Sequence, residues 1–141
     1  MNWRWILMLA ALGVIMGIAS TFGWTAGQEL WLWIGLILIA AVLLGYNVKV
    51  KLFKHGFFTA ALWTLLDGVI VFFMWDTYMA NNPQAAEQYA KIPEGMDPRY
   101  FSLISIVFGA LIWGAVLGLL TMLAGKLLAE KPAPEVAAEE K

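Results

Sequence analysis

Tyr100 to Ala129 reads YFSLISIVFGALIWGAVLGLLTMLAGKLLA, thirty residues whose only charge is Lys126 near the far end. As a helix this run is ~45 Å long, whereas about 20 apolar residues suffice to cross ~30 Å of hydrocarbon. It therefore predicts a membrane-spanning helix that tilts or projects beyond the bilayer. Asp97 followed by Pro98 offers an N-cap and a first-turn proline, which puts the span at 98–129.

Upstream lie three further apolar runs, Trp5–Phe22, Leu30–Val48 and Phe57–Ala80. The 141-residue chain is 62% hydrophobic and only 13% charged, with mean hydropathy +0.75. A water-soluble fold of this size has too much surface to leave so much apolar side chain uncovered. The first run follows Arg4 and ends near Ala19 and Ser20, as a signal peptide would, but an aligned small-residue face marks it as a retained span. The expected fold is all-α, an antiparallel four-helix membrane bundle over residues 1–130. Residues 131–141, rich in Pro, Ala and Glu, are expected to be a disordered tail. Asn82 followed by Pro83 predicts a short amphipathic surface helix over Pro83–Lys91.

Seven of the nine basic residues, Arg4, Lys49, Lys51, Lys54, Lys126, Lys131 and Lys141, fall on one side of these spans. Lys91 and Arg99 fall on the other, so both termini are expected inside. Trp24, Trp31, Trp33, Trp75, Tyr78 and Tyr100 gather at the outer boundary, and Trp3, Trp5, Tyr46 and Phe53 at the inner one, where amphipathic rings prefer to sit. The plan is similar to that of many small four-span proteins of the bacterial inner membrane, which implies that location. Small multidrug transporters share the length range and an intramembrane acid, but theirs is in the first helix, and this first run carries none.

Several chemistries are excluded or unsupported. The chain has no cysteine, hence no disulfide exchange, thiolate catalysis or iron–sulfur cluster. Its single histidine, His55, precludes bis-histidine haem ligation and has no acid partner for a catalytic triad. As an interfacial histidine beside Lys51 and Lys54 it is expected to be solvated, with anionic headgroups near. No phosphate-binding glycine loop, metal-ligand cluster or nucleic-acid footprint is present. No enzymatic activity and no cofactor are implied.

In lipid, helices associate closely where small residues let their backbones approach. Ala10, Gly13, Gly17 and Ser20 fall within about 80° of one another at 100° per residue, and Gly13 and Gly17 form a GxxxG pair. Ala60, Thr64 and Gly68 line up on the third span. On the fourth, Ser105 and Gly109 share one face, while Ala110, Gly114, Gly118 and Gly125 share roughly the opposite one. One neighbour cannot cover both faces, so a second helix or another chain is expected. Ile37, an aliphatic position on the second span, serves as an indifferent reference for bulky substitution.

Asp67 stands about ten residues from each end of the third run. A carboxylate at mid-bilayer costs roughly 2.5–3.5 kcal/mol on insertion scales, which places it facing protein or water. No span offers a lysine or arginine at its depth, so the neutral acid is favoured. Three roles compete: a hydrogen bond to a neighbouring helix, with the Trp113 indole as the candidate donor beside Thr64; carriage of a proton or cation; or pairing with a group on another subunit or a ligand. The leading expectation is a non-enzymatic structural or accessory subunit that packs against itself or a partner membrane protein. The alternative is a small proton- or cation-coupled transporter or channel using Asp67.

Overall fold

A computed structural model describes residues 1–129, and the expected tail at 131–141 lies outside them. The described residues are all-helical, with no strand, in the order α1 (Trp3–Thr21), α2 (Glu29–Asn47), α3 (Leu52–Phe73), α4 (Trp75–Asn81), α5 (Pro83–Tyr89) and α6 (Pro98–Leu127). Four of these, α1, α2, α3 and α6, are long and apolar enough to cross a membrane.

Three helix boundaries have identifiable causes. Beyond α1, Gly23 takes φ +70°, and the amides of Gly23 and Trp24 reach back to the carbonyls of Ser20 and Ala19 at 3.0 and 2.9 Å. This is a Schellman closure, which needs a residue that tolerates the left-handed region. At the start of α6 the Asp97 side chain accepts from the Arg99 amide at 2.8 Å, as the Asp–Pro signature predicts.

The third boundary departs from the sequence reading. In place of one helix over Phe57–Ala80, α3 starts at Leu52, breaks at Met74 (φ −103°, ψ 29°) and resumes as α4. Arg99 Nε donates to the Phe72 carbonyl at 3.0 Å and its guanidinium sits 4.8 Å from the Phe72 ring centre. That carbonyl would otherwise accept from the amide four residues on. A side chain inserted into the i→i−4 ladder is a recognised cause of a helix break.

α3 is the hub. Its contacts with α1 climb in step along both helices: Asn2 meets His55, Gly13 meets Trp63 and Gly17 meets Asp67. With α6 the numbers run in opposite senses, Gly68 against Ile106, Thr64 against Gly109, Phe57 against Gly114 and Phe53 against Gly118. α2 leans on α6 at the end where Gly45 meets Ala124 and Gly125. The consecutive helices α1 and α2 scarcely touch. Buried at the centre are Leu9, Met16, Leu44, Trp63 and Leu117. Trp33, assigned by sequence to the outer boundary, packs on this core with its ring 5.0 Å from that of Trp63. Ile37 is also buried, 2% exposed, and so is no indifferent reference.

The segment after α4 is tied to the end of α1. Asn82 Nδ2 donates to the carbonyls of Ser20 and Tyr78 at 2.8 and 2.9 Å, and Asn81 Nδ2 to that of Thr77 at 2.8 Å. Asn82 therefore does not cap α5 through its side chain, as the Asn–Pro signature implied, and Pro83 at the first position starts that helix without it. α5 ends at Tyr89 and half-buries Ala85, Ala86 and Tyr89 while its other side is exposed.

Candidate functional site: a polar column on the hub helix

His55, Thr59, Trp63 and Asp67 recur every fourth residue of α3, so they form one column that drifts slowly around the helix. His55, Thr59 and Trp63 are at most 1% exposed. Buried polar groups almost always find partners, and each exception calls for an explanation. Here Thr59 Oγ1, Trp63 Nε1, Thr64 Oγ1 and Asp67 Oδ1 are buried with none, as is Thr121 Oγ1 on α6.

His55 is the satisfied member of the column. Its Nε2 accepts from the Asn2 amide at 2.7 Å, and its Nδ1 lies 2.9 Å from the Lys51 carbonyl. An amide can only donate, so Nδ1 carries the proton in the neutral ring and donates to Lys51. The solvated interfacial histidine expected from sequence is instead a buried clamp between the first residues of the chain and the start of α3. The sequence shows a histidine flanked by lysines, and nothing local in it points to Asn2.

Asp67 is not central to its helix. It lies fifteen residues beyond Leu52 and six before Phe73, because α3 starts earlier and ends sooner than the apolar run. Its main chain is pressed against α1, where a Cβ on Gly17 would sit 3.1 Å from Asp67 Cα. Thr64 lies beside α6, its Cγ2 3.5 Å from a Cβ placed on Gly109. Trp113 does not join them. The α3–α6 pairings set Trp113 level with Thr59, an axial offset of about 12 Å from Asp67. It packs on the apolar core instead. Spacing along one helix cannot reveal the register between two.

A polar cleft of about 450 Å³ opens beyond this end of the column, lined by Glu29, Tyr78, Asn82, Gln84 and Gln88 among others. Thr25 donates to Glu29 Oε1 at 3.0 Å. Burial pushes the Tyr78 phenol well above its usual range, and the nearby Glu29, Tyr89 and Asp67 add to the effect. Glu29 is the one acidic side chain lining the cleft, and Asp67 does not line it. Asp76, exposed in the first turn of α4, stands apart. Among the described residues no group of three or more His, Asp or Glu side chains could hold a metal.

The small residues divide by use. Gly13, Gly17, Gly68, Gly114 and Gly118 all sit where a Cβ would lie within about 3.1 Å of a neighbouring helix. Gly109 is in ordinary contact only, and Ser105, one turn away, is exposed. Sequence reading missed Gly56 and Gly45, equally tight against α6: Gly56 continues the row of Ala60, Thr64 and Gly68 one turn earlier but precedes the apolar run, and Gly45 pairs only with Ala41. No protein-family model matches the chain, and no curated protein or solved structure matches it.

Proposed function

We propose that this chain is a non-enzymatic, four-span protein of the bacterial inner membrane, an antiparallel bundle with both termini inside, serving as a structural or accessory subunit that packs against itself or a partner membrane protein. The observation that carries this reading is the division of α6. Its Gly114 and Gly118 are spent on α3, while Ser105 is exposed in the same apolar helix and Gly109 is loosely covered. Small residues left uncovered on a membrane helix suit a further helix. Orientation rests on the seven-to-two division of basic residues. Single cysteines placed at Gln84 and at Lys126 test it in intact cells. An impermeant thiol reagent should reach Gln84 only, and labelling at Lys126 would invert the assignment.

A second reading, a proton- or cation-coupled transporter, is favoured by the unpaired Asp67 Oδ1 buried within a membrane-spanning helix. The two readings part at Asp67→Asn. Because that oxygen accepts no hydrogen bond within the chain, neither Asp67→Asn nor Asp67→Leu should cost more than about 1 kcal/mol in a detergent melt. This reverses the ranking that a Trp113 bond would give, in which Leu is the worse change. In proteoliposomes the subunit reading expects no pH-gradient-driven or cation flux from either wild type or Asp67→Asn. Wild-type flux abolished in a folded Asp67→Asn variant would replace it with the transport reading.

A further inference from the structure

At the other end of the bundle the first turn of α3 and the last turns of α6 enclose a groove of about 420 Å³, lined by Lys51, Leu52, Phe53, Lys54, Met122 and Lys126. Three of the six side chains are ammonium groups, and no acid lines the groove. Its floor is apolar and closely fitted. The Phe53 ring lies against Gly118 and the Leu52 side chain against Gly125, where a Cβ would come within 2.7 and 2.5 Å.

Lys51 and Lys54 occupy the wrong end of a helix for cations. The N-terminus of a helix carries partial positive charge, with backbone amides that lack intrahelical partners. α3 answers this with no acidic residue in its first turn and no side-chain cap. Lys51 moreover holds φ +54°, the one non-glycine residue with positive φ among those described, and such outliers tend to mark functional positions. Two lysines, a bare helix N-terminus and Lys126 thus converge on a spot that lacks an anion, over an apolar floor.

We propose that this groove binds an anionic phospholipid, its phosphate held by Lys51, Lys54, Lys126 and the first-turn amides of α3, and an acyl chain laid over Leu52, Phe53 and Met122. Basic pockets between membrane helices are suited to acidic headgroups, and the apolar floor distinguishes a lipid from a free anion. The inference is independent of Asp67 and of either reading above.

The test is native mass spectrometry of the full-length protein released from detergent micelles containing equal amounts of phosphatidylglycerol and phosphatidylcholine. Wild type should retain phosphatidylglycerol in preference. Replacing Lys51, Lys54 or Lys126 by Gln should each lower that preference about fivefold, whereas Arg at the same positions should keep it. Met122→Trp, which fills the floor and leaves the charges, should also lower retention. Lys49→Gln, a lysine outside the groove, should change nothing. Equal retention of the two lipids would overturn the proposal, as would a loss at Lys49→Gln equal to that at Lys54→Gln. Displacement by millimolar inorganic phosphate would make it a phosphate site, not a lipid site. A preference appearing only after Glu135, Glu139 and Glu140 are changed to Gln would assign the groove to the chain's own acidic C-terminus.

Discussion

Gly13→Leu is expected to prevent α1 from docking on α3, whereas Gly35→Leu and Gly109→Leu leave the fold near wild-type stability. A Cβ on Gly13 would collide with the Trp63 carbonyl oxygen and lie 2.6 Å from Trp63 Cδ1 and 2.9 Å from its carbonyl carbon. Two of these three atoms are backbone, which cannot swing aside without moving α3. The third belongs to the largest fully buried side chain of the core. Overpacking usually costs about 1–3 kcal/mol, and a collision with rigid backbone belongs at or beyond the top of that range. Gly68 is also crowded, but by side-chain atoms of Ile106 alone; this β-branched residue has little χ1 freedom on a helix, yet no backbone atom stands in the way. Nothing lies within 4 Å of a Cβ on Gly35, and only Thr64 Cγ2, at 3.5 Å, approaches one on Gly109. Thermal melts in one detergent, read by size-exclusion recovery, should rank Gly13→Leu far below Gly68→Leu, with Gly35→Leu and Gly109→Leu above both. Equal losses at Gly13 and Gly35 would overturn the assignment of the Gly13 effect to the α1–α3 contact, since Leu is the better helix former at both positions.

That ranking also measures what was legible before the structure. The tight roles of Gly13, Gly17, Gly114 and Gly118 follow from repeats at helical spacing, because the repeat itself creates the flat face on which another helix can settle. Gly109 belongs to a similar pattern and makes no close contact, since a pattern says that a face is smooth and not that anything lies on it. The four long helices are legible because length and hydropathy are properties of a single segment. The site depends on relations between segments and is read far less well. By sequence Asp67 stands at mid-helix because the apolar run continues through Phe72, Phe73 and Met74, while the break there is associated with Arg99, twenty-five residues beyond Met74. Trp113 matches Asp67 by depth alone, and only the α3–α6 register sets it opposite Thr59. His55 read as a surface residue because its partner, the Asn2 amide, is fifty-three residues away.

Trp63 joins three helices, and its replacement tests the core more severely than any other single truncation. It is fully buried, with Gly13 of α1 closed against it and the Trp33 ring of α2 inclined at 33° to its own. Trp63→Ala should cost ~3–5 kcal/mol, the range for deleting a large aromatic from a packed interior. In a membrane the loss is mainly one of contact between atoms, since lipid chains solvate apolar groups about as well as the core does. Trp63→Phe should behave differently. The phenyl ring keeps much of the contact with Trp33, and the substitution also deletes the indole N–H, which is buried without an acceptor. An unpaired buried donor carries a penalty of about 1–3 kcal/mol, so its removal offsets the smaller cavity. The expected order in detergent melts is wild type close to Trp63→Phe, within about 1 kcal/mol, and both well above Trp63→Ala. If Phe proves as damaging as Ala, the indole N–H must hold a partner in the membrane. The unpaired column of Thr59, Trp63 and Asp67 would then be a connected network, in which Asp67→Asn and Trp63→Phe lower stability by less together than the sum of their separate effects.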